Sequence, residues 1–202
     1  MTWPFGDLRP LSYDVLAVDP GWNFRNWSAK GEKKSAKRHY RCMPLAEIMA
    51  LPVSRLAQRD CLVLLWATAP MLPQALACMA SWGVPYKTNI VWRKVTPSGK
   101  VRMGPGYWAR TMHEQVLIGT IGKPKKVSAF PSIFDGVARD HSRKPEEFYA
   151  LVEKHTVGLR RADVFSRTDR PGWDAFGDAK GKYNDARERP ATQTLQTAAE
   201  LC

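Results

Sequence analysis

The sequence predicts an α/β domain built on a mostly parallel sheet flanked by helices, and three observations carry that expectation. Strand-sized apolar runs alternate with segments of helical periodicity along the chain. One run, Cys61 to Ala67 (Cys-Leu-Val-Leu-Leu-Trp-Ala), is apolar throughout, as a strand covered on both faces must be. The first run ends in Asp19-Pro20, a carboxylate at a strand terminus, where open α/β sheets bind their ligands.

The elements follow in order. Tyr13 to Val18 reads as the first strand. Residues 21–41 are polar, with six Lys/Arg against one Glu between Lys30 and Arg41, and lack apolar periodicity, so they read as a long functional loop. Pro44 to Ala57 reads as one or two short helices broken at Pro52. Met71 to Trp82 is helical, because Leu72, Ala75, Leu76, Met79 and Ala80 form one stripe that Gly83 ends. Tyr86 to Lys94 and His113 to Thr120 are strands, separated by a basic Gly/Pro-rich loop from Val95 to Gly106. Pro145 to His155 carries the strongest helix signal: Pro at the first position, Glu146 and Glu147 in the first turn, and a stripe of Phe148, Leu151, Val152 and His155. Arg161 to Ser166 is the last strand, and a short helix is expected from Trp173. The chain turns polar from Asn184, so residues 1–182 are expected to form a single domain and 183–202 a flexible tail.

The composition narrows the function. A chain of 202 residues suits one domain, and 44% hydrophobic with 25% charged residues excludes disorder, collagen and coiled coil. Thirty-one Lys/Arg against 19 Asp/Glu leave a net charge of +12, which points to a polyanionic partner. No apolar run reaches bilayer length and the first residues lack a signal-peptide pattern, so a cytoplasmic protein without membrane contact is expected. Cys42, Cys61, Cys78 and Cys202 are scattered, and His39, His113, His141 and His155 have no ligand spacing. Structural thiols in a reducing compartment and no metal site are therefore expected.

Asp19-Pro20-Gly21-Trp22 puts a carboxylate, a turn carbonyl and an aromatic plane together at a strand end. Such a set suits a flat heterocycle with an exocyclic amine: two acceptors for its N–H groups and a ring for stacking. A plain strand-to-loop turn with Trp22 as core filler competes with that reading.

The rest of the chain weighs in. Asp19-Pro20-Gly21-Trp22 after Val15-Leu16-Ala17-Val18 resembles the Asp-Pro-Pro-Trp signature of the MT-A70-like family of N6-adenine methyltransferases. His39-Tyr40-Arg41-Cys42-Met43 is similar to its Tyr-Gly-Thr-Met segment, and Leu64-Leu65-Trp66-Ala67-Thr68 to its Leu-Trp-Val-Thr strand. Ile90-Val91-Trp92-Arg93-Lys94 resembles a Trp-x-Lys strand, and Gly106-Tyr107-Trp108 with Glu114 a Gly-His-Trp…Glu block. Ser142-Arg143-Lys144-Pro145-Glu146-Glu147 is similar to the Ser-x-Lys-Pro-x-Glu helix start, and Phe165-Ser166-Arg167 with Gly172-Trp173 to the closing Phe-x-Arg…Gly-Trp. The blocks run in one order from Tyr13 to Gly177.

This resemblance implies a Rossmann-like class I methyltransferase with its catalytic motif N-terminal to the cofactor strand, using S-adenosylmethionine to methylate the N6 amine of adenine. It implies that Asp19, Pro20, Gly21 and Trp22 form the catalytic segment. Around the cofactor it implies Asp19, Lys144 at the methionine carboxylate, Arg167 with Asp169 near the ribose and tail, Asp178 near the nucleoside, and Asp7-Leu8 near the adenine. For substrate it implies Tyr40, Trp66, Trp92, Lys94, Trp108, Arg110 and Glu114, joined by Lys33, Lys34 and Lys37 from the basic loop. Nucleic acid is the expected partner, DNA favoured over RNA, with homodimers and heterodimers known among relatives. Two alternatives stay open: a catalytically degenerate member that binds nucleic acid or a partner subunit, and an N4-cytosine methyltransferase. Gly21 stands where the family signature has a second Pro, Asp169 where it has His, and Arg170 where it has Asn.

Overall fold

The computed structural model describes residues 2–22, 43–124, 128–140, 143–178 and 180–184. Seven strands, β1 (Tyr13–Val18), β2 (Ala57–Ala67), β3 (Tyr86–Val95), β4 (His113–Ile121), β5 (Ile133–Val137), β6 (Arg161–Val164) and β7 (Trp173–Phe176), form one sheet in the order β5-β3-β4-β2-β1-β6-β7. Three helices, α1 (Leu45–Ala50), α2 (Leu72–Ser81) and α3 (Glu146–His155), cover it, with short 3-10 turns at Val53–Arg55 and Ala69–Met71. This is the Rossmann-like, class I methyltransferase architecture.

The sheet is parallel except for β4, which runs antiparallel to both β2 and β3. The reason lies in the connection. Residues 96–112 carry no helix, and without a crossover element a strand can return to its neighbour only in the opposite sense. The order reverses at β1, which pairs with β2 on one side and β6 on the other. The carboxyl end of β1 is thus the switch point where such sheets hold ligands.

Both faces are buried, as the unbroken apolar run requires. Leu16 and Val18 with Val63 and Leu65 face α1 and α2, joining Ile48, Ala75, Met79, Trp82 and Phe5. Val15 and Ala17 with Leu64 and Trp66 face the opposite way, onto Phe148, Tyr149 and Val152 of α3. Gly119 on β4 lets α2 approach; a Cβ there would collide with Met79 and Val84.

Three expectations need correction. Residues from Trp173 form a strand, β7, in register with β6 from Arg161↔Trp173 to Val164↔Phe176, and not a helix. Burial of Trp173 against Tyr149 (rings 5.4 Å apart), with its indole N–H donating to Glu153 (2.8 Å), fixes that strand. Ala57 starts β2 and does not end a helix. β5 had no readable signal: Ile-Phe-Asp-Gly-Val lies at an edge with one strand neighbour and a half-exposed pattern. Beyond β7, Tyr183 N–H donates to the Arg167 carbonyl (3.2 Å) and Asn184 exchanges two hydrogen bonds with Asp169 on the loop after β6.

Candidate active site

The chain leaves β1 with one more ladder bond, Asp19 N–H to the Val164 carbonyl (3.1 Å), so the Asp19 backbone is fixed by the sheet. A tight turn follows. Trp22 N–H donates to the Pro20 carbonyl (2.8 Å), and Met43 N–H donates to the Gly21 carbonyl (3.2 Å), which ties this turn to the start of α1. The Pro20 oxygen keeps one lone pair for a second donor.

Asp19 heads a row of four charges. Its Oδ1 lies 3.1 Å from Lys144 Nζ; Lys144 also donates to Glu114 Oε2 at 2.9 Å, and Glu114 Oε1 takes Lys94 at 2.7 Å. Lys144 stands just before α3, Glu114 on β4 and Lys94 on β3, so four elements converge on one line. Burial raises the Asp19 carboxyl above its ordinary range, opposed by Lys144. Burial would raise Glu114 too, yet Lys144 and Lys94 together bring it down to about 2. Burial disfavours the Lys144 charge, but Asp19 and Glu114 outweigh this and raise the ammonium above its ordinary value. The Asp19 side chain keeps 22% of its surface open, whereas Glu114 keeps 11%, so only the aspartate is offered outward.

Asp19, Pro20 and Gly21 form one wall of a cavity of about 330 Å³. Arg167 and Asp178 supply charge to it, and Phe165 and Phe176 supply apolar surface. Phe165 sits just beyond β6 with φ 70°, a left-handed conformation that costs a non-glycine residue about 1–3 kcal/mol and turns the chain back toward the cavity. A Cβ on Gly177 would strike the Ser166 backbone, so glycine at 177 permits the close approach of the segments after β6 and β7. The volume is that of a small-ligand pocket, and a cation, carboxylates and two aromatic rings suit a zwitterionic nucleoside such as S-adenosylmethionine.

The structure gathers some of the expected residues and separates others. Asp19, Arg167 and Asp178 meet at the cavity, and Lys144 reaches it through Asp19. Trp66 (1% exposed), Trp92 (3%) and Trp22 (8%) are buried among core residues: Trp66 packs on Phe148 and Trp92, Trp92 donates to the Gly136 carbonyl, and Trp22 to the Trp66 carbonyl. Glu114 pairs with both Lys94 and Lys144, so these expected substrate residues stand in the buried charge row behind Asp19. Asp169 is engaged by Asn184 and by Lys180 at 3.6 Å, outside the cavity lining. Leu8 is core, Asp7 is exposed and not among the cavity-lining residues, and Pro4 of the same segment does line the cavity. Trp108 and Arg110 are exposed. Tyr40, Lys33, Lys34 and Lys37 lie outside the described residues. No group of potential metal ligands forms among the described residues, and no helix there is long and apolar enough to cross a membrane.

The sequence reading missed Met43 and Glu47 on the cavity wall, and a second buried network behind it. Asp163 on β6 accepts from Tyr149 Oη (2.9 Å) and Ser166 Oγ (2.7 Å), with Arg170 at 3.5 Å. Arg170 in turn lies over the Tyr149 ring and binds Glu146, which also holds Arg139 at 2.9 Å. Burial raises the Asp163 carboxyl to about 6, against the pull of its donors. Asp163 alternates with Ala162 and Val164, a pattern that by itself reads as solvent-facing, so nothing in the sequence showed this network.

Comparison with known proteins places the chain. The MT-A70 family model matches residues 13–179. The type II methyltransferase M.MunI of Mycoplasma sp is 26% identical over 192 residues, covering 86% of this chain and 80% of that protein. The human N(6)-adenosine-methyltransferase catalytic subunit METTL3 is 27% identical over 188 residues, covering 87% of this chain and 30% of that protein. The MT-A70-like N(6)-adenosine-methyltransferase of Arabidopsis thaliana is 27% identical over 187 residues, with 87% and 26% covered. The chain therefore spans only about a third or less of these two eukaryotic relatives.

Proposed function

Since the chain belongs to the MT-A70 family, we propose that it is a methyltransferase that carries the methyl group of S-adenosylmethionine to the N6 amine of adenine in nucleic acid, DNA favoured over RNA. The observation that supports this best is Asp19 itself: a carboxylate at the end of the central strand, partly open, backed by Lys144 and facing a cavity of nucleoside size. The match to four-fifths of a type II methyltransferase supports the preference for DNA.

The cofactor supplies an electrophilic methyl on a sulfonium. The rest falls to the chain. An adenine amine is a weak nucleophile because its lone pair is delocalised into the ring. Asp19 and the free lone pair of the Pro20 carbonyl accept its two N–H groups, which draws the nitrogen out of the ring plane and aims its lone pair into the cavity. A methyl donor held in the cavity would offer its carbon to that lone pair, and the amine proton released on transfer would pass to water. Both acceptors strengthen as positive charge grows on nitrogen, and neither has to move, since the sheet and the Trp22 and Met43 hydrogen bonds hold them. Arg167 and Asp178 would hold the cofactor's polar groups, with Phe165 and Phe176, which line the same cavity, against its apolar surface. Lys144 opposes the upward push of burial on the Asp19 carboxyl.

The test is expression in a host without adenine methylation, with modified nucleosides measured in its DNA and RNA. N6-methyladenine in DNA is the expected product. N4-methylcytosine would replace the proposal with its cytosine counterpart, and no new methylation together with no cofactor binding by calorimetry would overturn it.

A further inference from the structure

The face of the sheet beneath α3 is wider than its helix. Seven strands spaced about 4.8 Å apart span roughly 29 Å, and a helix is about 10–12 Å across. α1 and α2 lie on the opposite face, so α3 is the one helix on this face among the described residues. Over β2, β4 and β3 the cover comes instead from the segment that leads into β5, through Pro124, Phe130 and Pro131. Between that cover and the sheet lies a cavity of about 510 Å³, larger than the one at Asp19. The two stand at opposite ends of β1: Asp14, near its start, lines this cavity, and Asp19, just past its end, lines the other.

Its floor is apolar. The pleat puts Leu62 of β2, Ile90 of β3 and Ile118 of β4 on the face that Trp66, Trp92 and Phe148 occupy further along. Its wall is aromatic and fixed. Phe130 packs on the same cluster and stands against the His155 ring at the end of α3, centroids 4.8 Å apart, while His155 Nδ1 and Ser128 Oγ share a hydrogen bond of 2.5 Å. The free charge at its edge is positive. Lys87 and Lys123 line the cavity, both are exposed, and neither ammonium has an ion-pair partner among the described residues. Asp14 is the one carboxylate in the lining, and its Oδ2 already accepts the Arg160 N–H at 2.8 Å. Asp60, outside the lining, accepts the Lys123 backbone N–H at 2.7 Å.

We propose that this cavity is a second ligand site that takes one small aromatic carboxylate, its rings over Leu62, Ile90 and Ile118 beside Phe130 and its charge at Lys87 and Lys123. The floor selects the body of the ligand, because hydrocarbon placed there leaves water and an aromatic ring finds an aromatic neighbour. The lysines select its sign, since a carboxylate compensates both and a cation would meet two like charges. A sugar or a free phosphate would leave the floor without an apolar partner. The volume is that of a site for a single small molecule. A ligand held there leaves the Asp19 cavity open, so the site stands apart from the methyltransferase reading and does not depend on it.

Titration of the full chain with 1-anilinonaphthalene-8-sulfonate, an aromatic anion whose fluorescence rises out of water, tests this. One probe per chain is expected to bind. 2-Naphthoate should displace it about tenfold or more better than 2-naphthylmethylamine, which has the same rings and the opposite charge. Lys87→Glu/Lys123→Glu is expected to weaken probe binding about tenfold or more. Arg55→Glu/Lys100→Glu, the same change of net charge at exposed positions outside the cavity, should leave it within about twofold of wild type. Circular dichroism melting checks that the variants fold as the wild type does. Equal losses in the two double variants, or equal displacement by the two naphthyl compounds, overturns the proposal. So does displacement of the probe by saturating S-adenosylmethionine, which would put it in the Asp19 cavity. A dimer in light scattering that Lys87→Glu/Lys123→Glu dissociates would make the cavity a contact between copies of the chain, and overturns it as well.

Discussion

Replacing Glu114 by Gln keeps the shape of the side chain and deletes the central charge of the buried row. The wild-type carboxylate sits 2.7 Å from Lys94 and 2.9 Å from Lys144 with 11% of its side chain exposed, and its carboxyl is held at about 2 against an ordinary 4.5. At 1.36 kcal/mol per pH unit, that displacement corresponds to about 3 kcal/mol of stability carried by the ionised form. It agrees with the roughly 3–5 kcal/mol measured when one partner of a buried pair is removed. Because the folded carboxyl is depressed, its stabilisation is complete above about pH 4.5 and fades as pH falls toward 2. Glu114→Gln is therefore expected to be about 3 kcal/mol less stable than wild type in urea denaturation at pH 7, the gap narrowing steadily below pH 4.5. A gap under about 1 kcal/mol at pH 7, or one that does not change with pH, would refute the assignment of Glu114 as the counter-ion of both lysines.

Other outcomes follow from the same geometry. Asp19→Ala should stop methyl transfer from labelled S-adenosylmethionine while the melting curve stays cooperative; retention of a tenth of the rate, about 1.4 kcal/mol of barrier, contradicts the role given to that carboxylate. Lys144→Met removes the cation that opposes burial at Asp19, so that carboxyl rises further and the acid limb of kcat against pH, at saturating cofactor, should move to higher pH; a limb that stays or moves down refutes the pairing. Trp66→Ala should cost about 3–5 kcal/mol of stability, as a fully buried ring, and a change confined to the KM for nucleic acid would restore it to the substrate side.

The central sheet was legible because burial on both faces leaves a composition no other element shows. Val15 to Val18 and Cys61 to Ala67 are nearly unbroken apolar runs, and α3 announced itself through Pro145, two glutamates and one stripe. Edge strands are different. β5 and β7 have one strand partner each and carry Asp135, Gly136 and Asp174 among their few residues, so periodicity had little to work on. The site divided along the same line. Asp19 could be found because its chemistry is local: a carboxylate where a buried strand stops. The roles of Trp66, Trp92 and Glu114 could not, because an aromatic or a carboxylate at a strand end looks alike whether it faces ligand or core. Trp66 turned inward because it follows Leu64 on the α3 face, and Glu114 was claimed by two lysines far off in sequence.

Arg170 has one further implication. It spans from Asp163, at the foot of the loop bearing Arg167, to Glu146 in the opening turn of α3, one peptide beyond the Lys144-Pro145 pair. The loop that brings Arg167 to the cavity and the start of the helix that backs Asp19 through Lys144 are thereby riveted to a common strut. Transplanting residues 166–170 from a relative with a smaller side chain at 170 would leave Asp163 and Glu146 facing each other without their bridge. Engineers reshaping this chain for a cofactor analogue should move those three positions as a set.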